Sequence, residues 1–198
     1  MPYDIIADPY INPKTGILYN KIGAKKQKQL DKAEAEITYI VITTLTVGSR
    51  PETLTFNSQL LLDIHNEIFR DIYKWAGTTR TYDISKETSY FAHAQFIDSS
   101  LNILIDELQQ DRRLLSSNID DLVDALTYYF AELNAIHPFR EGNGRAIRTF
   151  LRLLALKHGY DIEWGRLDKN ENIAVSRESI KGNLAPLRAM LSRMITKV

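Results

Sequence analysis

Twelve consecutive residues, His137-Pro138-Phe139-Arg140-Glu141-Gly142-Asn143-Gly144-Arg145-Ala146-Ile147-Arg148, bring an imidazole, a carboxylate, an amide-rich turn and guanidinium groups into one short stretch. Gly142 and Gly144 flank Asn143 and can take positive φ, so successive backbone N–H groups can converge into an anion-binding nest. The residues that follow, 146–158, have the apolar spacing of an amphipathic helix that stops at Gly159. The nest therefore opens a helix, whose unpaired amides and positive dipole end favour a phosphate. Arg145 and Arg148, three apart, share a helical face, and both can reach a polyphosphate lying over the helix start. Glu141, just before the nest, is placed to hold Mg²⁺, an ion that takes few carboxylates and bridges phosphate oxygens. Imidazole titrates near neutrality, so His137 suits general-base work on an incoming hydroxyl. A His-Pro pair alone often only ends a helix, and Gly-Asn-Gly is often only a turn. Here every flanking residue type also fits phosphate chemistry.

The elements that must position this stretch read as helices. A helix over 25–46 is expected from Leu30, Ala33, Ile37, Ile40, Val41 and Thr44, which recur at helical spacing despite the strand propensity of the Ile, Val and Thr around them. Further helices are expected over 58–75, 95–113 and 120–136, the last capped by Asn118 or Asp120 and ended by Pro138. In that helix Leu122, Ala125, Leu126, Tyr129, Leu133 and Ile136 are expected to face inward. After the motif helix, stretches 169–180 and 185–197 complete an all-α bundle. Between the second and third helices, residues 80–92 alternate enough to suggest a short β-hairpin. No internal repeat, low-complexity tract or linker divides the chain, so one domain over 1–198 is expected.

Composition limits the function classes. The 198 residues suffice for one domain with a real core. Lys plus Arg and Asp plus Glu both number 25, which provides no global field for nucleic acid. Zero cysteines exclude disulfides and fit a reducing compartment. No apolar run is long enough to span a bilayer and no signal peptide is visible, so a cytoplasmic protein without membrane or nucleic-acid partners is expected. His65, His93 and His158 lack zinc spacing. His158 reads as a helix-end residue, and His65 as packing or a surface contact.

On these residues the chain resembles the Fic family, whose signature HxFx[DE]GNGRxxR is matched at every fixed position by 137–148. Asp8-Pro9-Tyr10 with Asn20-Lys21-Ile22-Gly23 resembles the family's lead-in, about 1–24. His65-Asn66-Glu67-Ile68-Phe69 and Asp71-Ile72-Tyr73-Lys74-Trp75-Ala76-Gly77 resemble the helix before its active-site flap. The resemblance implies a Fic-fold helical bundle and a protein adenylyltransferase, moving AMP from ATP to a Tyr, Thr or Ser hydroxyl of a target protein with release of pyrophosphate. His137 would then be the base and Glu141 the Mg²⁺ ligand. Gly142, Asn143 and Gly144 would cradle the α- and β-phosphates, with the Asn143 side chain on the α-phosphate. Arg145 and Arg148 would grip the β/γ end, and Phe139 would anchor the loop in the core. The hairpin resembles the Fic flap, which pairs with the backbone around the modified residue. Lys86 and Phe91 are its candidate target-docking residues, and 172–183 would lie near the adenine.

Fic enzymes are commonly silenced by a helix bearing [ST]xxxE[GN]. No Ser or Thr here is followed four residues later by Glu. The resemblance therefore implies a toxin inhibited by a separate small antitoxin protein whose Glu reaches Arg148, acting in a bacterial cytoplasm, or in a host cytosol if the chain is part of a secreted effector. Two alternatives share these residues: a nucleotide- or partner-binding module without turnover, and a phosphohydrolase that removes AMP from modified proteins.

Overall fold

The computed structural model describes residues 8–86, 89–116 and 118–198, with no account of the side chains at 86, 89 and 90. Residues 1–7 of the expected lead-in and the side chain of Lys86 thus lie outside the described residues.

Seven α-helices build the described molecule, and α4 (Ile119–Ile136) and α5 (Asn143–Lys157) lie at its centre. The sequence expects six inward-facing residues on α4, and all of them are buried, along with Val123, Thr127 and Phe130. On α5, Ile147, Phe150, Leu151 and Leu154 face α4 and α2 (Ser58–Phe69) from within the same core. Fully burying a Leu, Ile or Phe contributes about 1.5–3 kcal/mol relative to leaving it exposed, so this seam holds the motif helix rigidly. The α1 helix (Gln27–Gly48) crosses α2 and α5. Its inner face runs through Leu30, Ile37, Thr38, Val41 and Leu45, whereas Ile40 and Thr44, expected on that face, point to solvent.

The boundaries depart from expectation where tertiary bonds compete with helical ones. The α2 helix stops at Phe69 rather than 75: the amides of Ile72 and Tyr73 both turn back to the Phe69 carbonyl, and the Ile72 carbonyl accepts from Lys21 N–H at 2.7 Å. The turn lets Tyr73 stack on Trp75 at 4.4 Å. The third helix is α3 (Ile97–Gln110), because Asp111 leaves the helix and its carboxylate caps a separate 3₁₀ turn, Arg112–Leu115. The α6 helix (Lys169–Ile180) has its expected bounds and is capped by Asp168. The final helix, α7 (Ala185–Met194), is shorter than expected. Ile195–Lys197 instead forms a strand antiparallel to Tyr160–Ile162, with Ile162 opposite Ile195. β-Branched Ile195 and Thr196 suit that pleated pairing.

In chain order the strands are β1 (Ser85–Lys86), β2 (Ser89–Tyr90), β3 (Tyr160–Ile162) and β4 (Ile195–Lys197). The β1–β2 pair is the expected hairpin, tighter than 80–92, with Ser85 opposite Tyr90. Among the described residues no helix is long and apolar enough to cross a membrane.

Candidate active site

The motif lies in the joint between α4 and α5. His137 caps the C-terminus of α4 in the left-handed region, φ 49°, and is the only non-glycine residue with positive φ among those described. Such a conformation is costly for a residue with a Cβ and persists only where the surroundings impose it. Arg80 is part of those surroundings. This buried side chain donates from Nε to the His137 carbonyl at 2.9 Å, from Nη1 to Tyr82, and from Nη2 to the carbonyls of Ala92 and Ile136. It therefore ties the motif turn to both ends of the flap. The sequence reading missed Arg80, since nothing local marks a guanidinium that bonds to carbonyls distant along the chain.

The His137 ring is nearly buried. Its Nδ1 lies 3.2 Å from the Asn134 carbonyl. A carbonyl only accepts, so in the neutral ring Nδ1 carries the proton and Nε2 is the basic nitrogen. Phe91 stacks on the imidazole at 3.8 Å and 18°, so this expected flap residue sets the plane of the ring. Phe139 is fully buried against His65, as the expected core anchor would be. Asn143 differs from its expected role on a phosphate: its Oδ1 accepts from Phe139 N–H at 2.8 Å and its Nδ2 donates to the Phe139 carbonyl at 2.7 Å. Both amide atoms brace the turn, and the side chain is buried.

Of the two glycines expected to take positive φ, only Gly142 does; Gly144 lies in the first turn of α5. Gly142 has φ 82°, and a Cβ there would fall 2.2 Å from Phe69 Cζ, so both the backbone and the close approach require glycine. Asn143 and Gly144 open α5, where amides have no acceptor within the helix. The Gly142 N–H donates to the Glu141 carboxylate at 2.9 Å, so an anionic oxygen already sits over the nest. Glu141 is about one-third exposed, and its Oε1 lies 3.8 Å from Arg145. No group of three or more acidic or histidine side chains suited to a metal occurs among the described residues. One carboxylate beside a phosphate nest does suit Mg²⁺, which takes its other oxygens from nucleotide and water.

The two motif arginines differ. Arg145 pairs with Glu34 of α1, donates to Thr38 Oγ1 at 3.3 Å and lies over the Phe69 ring at 4.7 Å. The other Glu34 oxygen accepts from Tyr73 OH. Arg148 has no side-chain hydrogen bond or ion pair among the described residues; its carbonyl accepts from Trp164 Nε1. Burial, then the neighbouring Arg145 charge, pulls the Arg148 pKa down to about 10, so the guanidinium stays charged at neutral pH and lacks a counter-ion.

His65 and the lead-in support this site from behind. His65 is fully buried: the Gly77 N–H donates to Nδ1 at 2.9 Å, which leaves Nε2 to donate to the Glu141 carbonyl at 3.0 Å. Burial lowers its pKa to about 4, so the ring is neutral, and it is a brace rather than a surface contact. Asp8 of the lead-in pairs with buried Arg140 and accepts from Tyr82 OH at 2.7 Å. Burial alone would raise the Asp8 pKa, but the Arg140 and Tyr82 hydrogen bonds outweigh it and hold the carboxyl below its usual value. His158 caps the C-terminus of α5, as expected of a helix-end residue, and burial and then Lys157 lower its pKa.

This arrangement has close counterparts. The chain is 37% identical over 98% of its length to protein adenylyltransferase VbhT of Bartonella schoenbuchensis, and spans 40% of that relative. It is 30% identical over 96% of its length to the probable protein adenylyltransferase Fic of Escherichia coli K12, and spans 93% of it. The crystal structure of BepC protein, a VirB-translocated Bartonella effector from Bartonella tribocorum with bound AMPPNP, superposes with a TM-score of 0.85 at 24% identity. It covers 96% of this chain and 97% of that one, and shares the fold. Residues 55–155 match the model of the Fic/DOC family, and with relatives of this identity over nearly its whole length the chain belongs to that family.

Proposed function

We propose that this chain is a protein adenylyltransferase, a nucleotidyltransferase that moves AMP from ATP to a Tyr, Thr or Ser hydroxyl of a target protein. The observation that carries the reading is the placement of a base beside an anion site. His137, with its basic nitrogen set by the Asn134 carbonyl, adjoins a glycine nest whose helix also carries an uncompensated guanidinium, Arg148. Relatives named as adenylyltransferases support it.

In this reading the Gly142–Gly144 amides take the α- and β-phosphates, and Arg148 meets the terminal phosphates. Arg145, paired with Glu34, lies to the side and holds the motif helix against α1. Asn143 acts by fixing the turn rather than by touching phosphate. Glu141 would hold Mg²⁺, which neutralises phosphate charge when bound. His137 takes the hydroxyl proton as the oxygen attacks the α-phosphorus; the new P–O bond forms and pyrophosphate leaves. Such transfers depend on positioning and charge neutralisation more than on covalent chemistry by the protein.

The described residues share one hydrophobic core, which supports reading 1–198 as one Fic domain. An antitoxin protein that offers a Glu to Arg148 fits the bare guanidinium, since the chain's own Glu34 is engaged with Arg145. The working compartment in this reading is the bacterial cytoplasm, or a host cytosol for an effector. The segment 172–183, within and just after α6, is assigned to the adenine side.

The test is incubation of the purified chain with Mg²⁺, α-labelled ATP and bacterial lysate beside His137→Ala. A labelled protein with an added AMP mass is expected, reduced about 10²–10⁴-fold by the substitution while ATP binding persists. Release of AMP from pre-modified protein instead of its attachment would point to the phosphohydrolase. Equal loss of binding and transfer would remove His137 from the role of base.

A further inference from the structure

A groove of about 480 Å³ opens between α3 and α4 immediately behind the flap. It begins one side chain from the candidate base: Phe91, which stacks on His137, and Ile136, its chain neighbour, both line it. The flap is joined to α4 here by Ala92 N–H, which donates to the Ala135 carbonyl at 3.0 Å. The floor is apolar, with Leu104, Ala135 and the outward-facing Ile103. Glu107 and Glu132 stand on opposite helices at the wall, and no Lys, Arg or His lines the groove. Tyr128 OH donates to Glu107 at 3.0 Å and fixes that carboxylate, while neither glutamate has an ion pair among the described residues. Partial burial, and then the Glu107 charge, raises the Glu132 pKa.

A groove with an apolar floor and two carboxylates in its wall, neither in an ion pair among the described residues, complements one side-chain type, a long aliphatic stem with a cationic head. We propose that this groove receives a lysine or arginine side chain of the target protein, lying within a few residues of the hydroxyl that accepts AMP. The proposal rests on the transferase reading and adds the sequence preference that flap pairing through the backbone does not supply. A segment paired with the flap runs at about 3.3 Å per residue and turns alternate side chains to one face. One such side chain enters the groove while the modified residue faces His137.

The test compares wild type with Glu107→Gln/Glu132→Gln and Glu107→Lys/Glu132→Lys, using Mg²⁺, α-labelled ATP and bacterial lysate, then maps the modified residue by mass spectrometry. The mapped site should carry Lys or Arg within about four residues of the modified hydroxyl, the span of a short paired strand. The double lysine variant should label that target about tenfold more slowly at low target concentration, with the double glutamine variant between the two. The KM for ATP and the melting temperature should not change. Replacing the target's basic residue by Glu should restore labelling by the lysine variant. Unchanged labelling by that variant, or a mapped site with only apolar or acidic neighbours, overturns the groove assignment while leaving the transferase reading intact. No labelling by wild type overturns the transferase reading, and the groove assignment with it.

Discussion

Arg145 and Arg148 stand on one face of α5, three residues apart, in opposite electrostatic regions. Around Arg145, α1 and α2 supply a carboxylate, a hydroxyl and an aromatic face, so the guanidinium is neutralised and fastened. Around Arg148 the described residues supply no counter-charge, and the nearest cation works against its ionisation. One arginine ties the motif helix to the bundle; the other holds a positive charge that no described residue neutralises. Identical chemistry at a motif spacing thus divides into a strut and, in the proposed transferase reading, a receptor for phosphate.

The largest expected effect tests the receptor. Arg148→Ala should cut AMP transfer by about a hundredfold or more, the scale for removing a preorganised donor from a transferring phosphate. Thermal stability should stay level or rise, since an uncompensated charge is removed. A melting temperature that falls as far as for Arg145→Ala would erase the distinction.

The next effect tests the strut through His65, which braces the Glu141 backbone. Its pKa is about 4 in the folded chain against an ordinary 6.5, so the unfolded chain binds this proton more readily. Stability from this group is complete above about pH 6.5 and is lost as pH falls toward 4. The full loss is on the order of 3 kcal/mol, from about 1.4 kcal/mol per pKa unit. Urea denaturation of wild type and His65→Gln across this window measures it; curves with the same slope would remove His65 as the source.

A smaller effect separates the arginines directly. Arg145→Ala and Glu34→Ala should each cost about 2 kcal/mol by leaving a partly buried partner unmatched. The double substitution should cost less than the sum by about 1–2 kcal/mol, as contacting residues do. Simple additivity in urea titrations would mean that Glu34 and Arg145 do not act as a pair.

Much of this was legible in the chain, because the features concerned are local. Gly142 and Gly144 mark a nest, the spacing after them marks a helix, and the inward face of α4 follows from its 3.6-residue period. The expectations failed where distant residues outbid local preference. A strand partner at 160–162 drew Ile195–Lys197 out of the final helix, and the Lys21 amide met a carbonyl beyond the end of α2. Ile40 matches the helical period of α1 and still faces water, since periodicity fixes a stripe but not how wide a neighbour covers it.

The site divides in the same way. The sequence by itself determined a glycine turn at a helix start, an imidazole before it and two guanidiniums on one face, since each follows from backbone sterics and helical spacing within twelve residues. Only the tertiary structure decided that Asn143 braces the turn, that Arg80 fastens the carbonyl of a left-handed His137 and that Arg145 is already paired. Glu34 lies 111 residues from Arg145 along the chain, and no local pattern reports which charge a folded neighbour will neutralise. Coulomb pairing and burial depend on distance in space, and that distance exists only once the helices have packed.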